Sequence, residues 1–180
     1  MKPIIRVLEY DFQEYISANL IQAKVQELGA QIAKDYGPDS KPLMIAVLNG
    51  AFVFAADLVR ATPLDIEITF VKLSSYTGTQ SSGQIRSVIG LDQGKVKGRE
   101  VIIVEDIVDT GRTLHHFVND LRQSEPKSVK IASLLLKPEA LETALEVDYL
   151  GFSIPPAFVI GYGLDYNEAG RNLPAIYQKV

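Results

Sequence analysis

A chain of 180 residues suffices for one domain with a sizeable core, and 47% hydrophobic with 22% charged residues is the balance of a soluble globular protein. A net charge of −4 argues against nucleic acid as a partner, because binding phosphates needs a basic face. With no cysteine, and only His115 and His116 as histidines, disulfide scaffolds, thiol nucleophiles and zinc sites built on Cys or several His are excluded, so any metal must be held by oxygen, which favours magnesium or a similar hard ion.

The first residues, MKPIIRVLEYDF, mix acids with apolar residues and lack a secretory h-region. Ser17 is placed to cap a helix whose Leu20, Ile21, Val25, Leu28 and Ile32 recur at helical spacing, with Gly37-Pro38 as its stop. Leu43 to Leu48 reads as a short strand, Asn49-Gly50 as a turn and the stretch through Val59 as an apolar helix. That turn, with Asp57, argues against a membrane span over Pro42 to Val59, and a cytoplasmic, soluble protein is expected. Ile66 to Leu73 alternates as a strand, and Ser74 to Ser87 turns polar, as a long loop or an extended hairpin. Val101 to Val104 is a buried strand, Thr113 to Gln123 a helix, Val129 to Leu136 a strand and Leu141 to Ala144 a short helix. Phe158 to Ile160 is the last short strand before a polar tail of loops. Strands alternating with helices predict an α/β fold, an open, mainly parallel twisted sheet flanked by helices, with the chain ends as a smaller lobe and residues 1–180 as a single domain.

The segment VIIVEDIVDTGRTL, Val101 to Leu114, carries the most chemistry. Its apolar run delivers Glu105 and Asp106 to the carboxyl edge of a parallel strand, where open α/β sheets bind ligands. Asp109-Thr110-Gly111-Arg112-Thr113 then turns into a helix whose first amides, with the two threonine hydroxyls, can cradle a phosphate. A ribose 5-phosphate would reconcile the acids with the cradle, its phosphate on the amides and its vicinal hydroxyls against the carboxylates.

This segment resembles the ribose-phosphate signature of the type I phosphoribosyltransferases, and Glu105-Asp106 followed by Asp109 resembles their hypoxanthine-guanine branch in particular. The resemblance runs across nearly the whole chain. It implies a small hood formed by the chain ends, magnesium as cofactor and a dimer or tetramer. It implies transfer of phosphoribosyl from 5-phosphoribosyl 1-pyrophosphate to hypoxanthine or guanine, giving the nucleotide and pyrophosphate in purine salvage.

The resemblance also assigns roles. Glu105, Asp106, Asp109, Thr110, Gly111, Arg112 and Thr113 would bind the ribose phosphate, with Asp109 as general base for the purine imidazole proton. Asn49-Gly50 matches a pyrophosphate loop that often contains a cis peptide and often carries lysine where this chain has Asn49. Ser74-Ser75-Tyr76 matches the mobile catalytic loop, and Lys137 the lysine that donates to the purine 6-oxo group. Phe158 matches the aromatic that stacks on the base, and Val159 the backbone that reads its edge. Asp165 matches a magnesium-associated acid beside the purine, so that Glu105, Asp106 and Asp165 are the metal-associated carboxylates, and Arg171 matches an arginine on pyrophosphate. Ala169-Gly170 is smaller than the bulky pair expected there, which predicts a looser Arg171.

Outside that ordered set each piece has a plainer reading. Asn49-Gly50 is then a common turn, Ser74 to Tyr76 a surface hairpin, Lys137 a solvated strand end, Phe158 a core residue and Arg171 a surface one. The histidines read as structural or surface residues. A xanthine-specific transferase would share the ribose-phosphate turn, and a regulatory protein could keep the fold without the reaction.

Overall fold

The computed structural model describes residues 3–74, 86–89 and 91–180; Ser75 and Tyr76 of the expected mobile loop lie outside them. Two sheets carry the fold. Strands β1 (Ile4–Val7) and β2 (Tyr10–Ile16) open the chain, followed by helix α1 (Ala18–Tyr36). The Ser17 side chain caps that helix by accepting from the Leu20 amide, and Gly37, at φ 81°, ends it.

Strand β3 (Leu43–Leu48), helix α2 (Phe52–Ala61) and strand β4 (Glu67–Ser74) begin the main sheet. Strand β5 (Arg86–Ile89) pairs antiparallel with β4, Ser74 with Arg86 and Leu73 with Ser87. Next come β6 (Glu100–Val108), α3 (Arg112–Arg122), β7 (Ser128–Leu136) and β8 (Tyr149–Ser153). The order is β5-β4-β3-β6-β7-β8, with every pairing but β4–β5 parallel. Strand β3 is followed by β4 on one side, while the chain returns to place β6 on the other. The switch point between β3 and β6 opens the crevice in which such sheets bind ligands.

Alternate residues of the central strands face opposite ways and enter two cores. Met44, Ala46, Ile102 and Val104 pack with α1 and α2. Leu43, Ile45, Val101 and Ile103 pack with Leu114, Phe117, Val118 and Leu121 of α3. Burial on both faces explains why β3 and the first half of β6 read as unbroken apolar runs.

Four expectations change. Strand β6 continues past Val104 to Val108, because Ile107 and Val108 go on pairing with Leu135 and Leu136 of β7. No helix forms over Leu141 to Ala144: a 3-10 turn spans Pro138–Ala140, and Leu141 and Leu145 pack into the α3 core from irregular backbone. Strand β8 gave little sequence signal because its central Gly151 is a poor strand former, yet a side chain there would strike the Leu134 carbonyl. The tail is not all loop. Strands β9 (Val159–Ile160) and β10 (Ile176–Lys179) join β1 and β2 in an antiparallel hood of order β1-β2-β10-β9, built from both chain ends as expected. Phe12, Ile160, Ala175 and Tyr177 are its core. Among the described residues no helix is long and apolar enough to cross a membrane.

Candidate active site

Strand β6 brings Glu105 and Asp106 to the crevice, still within the strand, and Asp109 stands one residue past its end. Gly111, at φ 75°, turns the chain into α3, and a side chain there would collide with the Thr143 hydroxyl packed beneath it. The irregular segment after β7 thus forms the underside of the turn. The Glu142 amide also donates to the Thr110 carbonyl at 3.0 Å. Above the turn lies a cavity of about 230 Å³ lined by Glu105, Asp109, Thr110, Gly111 and Thr113, with Val47 and Leu73 opposite. Arg112 lends the turn its backbone; its guanidinium is paired with Glu142 at the surface. Burial, and then the neighbouring Asp106 charge, push the Glu105 carboxyl well above the usual carboxylate range.

The second half of the site meets β6 across the crevice. The Leu48–Asn49 peptide is cis, the geometry the resemblance implied. Gly50 packs so closely on the Asp106 carboxylate that a methyl group there would overlap it. Gly163, at φ 104°, lies as closely on the Gly50 carbonyl. Its own carbonyl accepts from Arg171 Nη1 at 2.9 Å. Arg171 is paired with Asp165 at 2.9 Å and with Glu168 at 3.1 Å, and the Glu168 amide donates to Asp165 at 2.8 Å. Beside the small residues 169 and 170, Ala169 closes a tight turn with Tyr166, and a carbonyl and carboxylates contact the Arg171 guanidinium. Asp165 is committed to the same cluster.

Lys137 Nζ donates to Asp109 Oδ2 at 2.7 Å. The lysine is mostly enclosed, at 13% side-chain exposure, whereas Asp109 is half open, at 51%. A strand-terminal lysine that is only solvated would be neither enclosed nor paired. Phe158 is not core but 48% exposed, with Tyr166 edge-on at 5.7 Å and Phe12 tilted at 6.3 Å, while Val159 is buried in β9. An aromatic held by its neighbours with much of its surface free is suited to stacking on a planar ligand. His115 and His116 sit on α3 beyond the turn, their rings 6.2 Å apart. Sequence reasoning missed Gly163 and Thr143, whose importance lies only in what they touch.

Acids on a strand and amides on the turn after it, placed at the switch point of a parallel sheet beneath a hood of both chain ends, define the phosphoribosyltransferase class. The family described as phosphoribosyl transferase domain matches residues 13–167. The hypoxanthine-guanine phosphoribosyltransferase of Bacillus subtilis (strain 168) is 44% identical over 172 residues, which is 94% of each chain. That of Mycobacterium tuberculosis (strain CDC 1551 / Oshkosh) is 43% identical over 176 residues, 91% of this chain and 87% of its own. A crystal structure of a hypoxanthine-guanine phosphoribosyltransferase from Bacillus anthracis superposes with a TM-score of 0.86 at 41% identity, covering 93% of this chain and 96% of that one. The chain belongs to the hypoxanthine-guanine phosphoribosyltransferase family.

Proposed function

We infer that this chain is a purine salvage enzyme, one domain over residues 1–180, that transfers phosphoribosyl from 5-phosphoribosyl 1-pyrophosphate to hypoxanthine or guanine. The observation that carries the assignment of roles is the Lys137–Asp109 pair, 2.7 Å apart, at the rim of the amide-lined turn. It offers a proton acceptor and a cation within reach of one base.

The donor's 5-phosphate rests on the turn from Asp109 to Thr113, where helix-start amides favour an anion. Glu105 and Asp106 hold the ribose hydroxyls. Asn49, Gly50 and Arg171 hold the pyrophosphate, the arginine with its planar fork and the turn with its backbone, since Asn49 brings no charge. Phe158 stacks on the purine and the Val159 backbone reads its edge. Lys137 donates to the 6-oxo group and stabilises negative charge developing on the ring, which makes the imidazole N–H easier to remove. Asp109 takes that proton as the ring nitrogen bonds to C1′ and the bond from C1′ to pyrophosphate oxygen breaks.

The donor atoms here are carboxylate oxygens, which suit a hard cation; among the described residues no group of three or more His, Cys, Asp or Glu could hold a metal by itself. Magnesium would take carboxylate oxygens from Glu105 and Asp106 on β6, and from Asp165 once it parts from Arg171, with its other ligands from the donor and water, and would offset the pyrophosphate charge. The enzyme works as a homodimer or homotetramer.

The test is steady-state product formation with the ribose donor, magnesium and each of hypoxanthine, guanine, xanthine, adenine and uracil. Nucleotide from hypoxanthine or guanine, lost on chelating magnesium, is the expected result. Turnover with xanthine alone would move the assignment to another base, and donor binding without turnover would point to a regulatory protein.

A further inference from the structure

Tyr162 occupies an unusual place in the Gly161–Arg171 loop. It has φ 50° and stands between Gly161 at 100° and Gly163 at 104°, three successive residues in a region that side chains rarely adopt. Its side chain leaves the hood and is buried to 3% exposure in the core formed with α1 and α2. There its hydroxyl donates to Asp57 Oδ2 at 2.5 Å. Asp57 is an acid on an otherwise apolar stretch of α2, and it gathers two further donors. Gln22 of α1 reaches the same oxygen at 3.0 Å, and Arg60 reaches the other. Burial alone would raise the Asp57 carboxyl, but these hydrogen bonds outweigh it and hold the group below its ordinary value. The Tyr162 hydroxyl therefore meets a carboxylate ion, the stronger kind of acceptor.

The consequence lies one residue further on. The Tyr162 amide is fixed to the Leu173 carbonyl at 2.7 Å, and the Gly163 amide to the Arg171 carbonyl at 2.9 Å. Gly163 in turn abuts the Gly50 carbonyl and holds the Arg171 guanidinium. A tyrosine anchored in the helices on one side of the backbone thus sets how closely Gly163 seats on the Asn49-Gly50 turn. We propose that Tyr162 and Asp57 are positioning residues that seat this loop on the turn and so place Arg171 for the donor's pyrophosphate. The proposal rests on the reading of Asn49, Gly50 and Arg171 as the pyrophosphate site.

Steady-state kinetics of the whole enzyme test it, comparing Y162F, D57N, the double variant and R171Q. Y162F should raise KM for 5-phosphoribosyl 1-pyrophosphate, and for pyrophosphate in the reverse reaction, by roughly tenfold, about one charge-assisted hydrogen bond. The KM for hypoxanthine at saturating donor should stay within about twofold. D57N keeps a carbonyl acceptor for the hydroxyl; its rise should be smaller and should add nothing in the Y162F background. A donor KM unchanged in Y162F while R171Q raises it, or equal rises for donor and base, overturns the proposal. If Y162F does not fold, D57N decides, and a wild-type donor KM sinks the idea. An unchanged donor KM in R171Q would remove the pyrophosphate reading itself, and the proposal with it.

Discussion

The two loops that face each other across Gly50 are held by different means. The turn after β6 grows out of a central strand, hydrogen-bonded to β3 over its first half and to β7 along its length, and it runs directly into α3. The Gly161–Arg171 loop follows a two-residue strand at the edge of the hood. Its place depends on side chains reaching other elements and on glycines that let backbones touch. The first loop is held by the ladders of a central strand, and the second by backbone hydrogen bonds within itself and a few specific contacts to other elements. Substitutions in the second should therefore change ligand affinity without costing much of the fold, whereas acids on β6 feel the sheet itself.

The largest effect is expected where both loops meet. G50A should lower kcat/KM by roughly a hundredfold, the scale of a displacement of about 1 Å at a reacting centre. Its methyl group must push Asp106 aside, and circular dichroism should show the fold retained. Wild-type activity would show that the contact between turn and strand is dispensable.

D109N comes next. It should cut kcat by about tenfold to a hundredfold, toward the low end for a positioned base, because Lys137 already makes the purine proton more acidic. An unchanged kcat would remove Asp109 as the base.

E105Q probes the buried strand through stability. The folded protein binds the Glu105 proton more tightly than the unfolded chain does, because burial and Asp106 raise that carboxyl above its ordinary 4.5. Stability is therefore full below the ordinary value and falls as pH rises toward the raised one. Without metal or donor, E105Q should melt higher than wild type at pH 8, with the gap closing toward pH 4.5. A gap that widens on acidification would reverse the sign and with it the account of Glu105.

The smallest effect is expected from A169F. Arg171 is already fixed by Gly163, Asp165 and Glu168, so a bulkier neighbour should leave the donor KM within about twofold, well under 1 kcal/mol. A clear fall in KM would mean that the small pair does loosen the arginine after all.

Much of the first loop was legible in the residues. An apolar run, two acids, a third acid, Thr-Gly and Thr occur in order within fourteen positions, and each has its meaning from local backbone alone. Ser17 as helix cap and Gly37 as helix stop were legible for the same reason. The end of β6 was not. Glu105 and Asp106 look like the end of a strand, but Leu135 and Leu136 on the neighbouring strand carry the pairing on to Val108. Gly151 hid β8 because its small size answers a carbonyl from β7, and propensity sees only the missing side chain.

The sequence by itself determined the alternation of strands and helices, the acidic edge of β6 and the helix start that follows it. These depend on periodicity, turn chemistry and neighbours in the chain. Only the tertiary structure decided that Lys137 meets Asp109 across 28 positions and that Tyr162 reaches Asp57 across 105. It also decided that Gly50 lies between Asp106 and Gly163. Those contacts join strands, helix and hood loop that lie far apart in the chain, so they come together only once the sheet is packed against its helices and the hood.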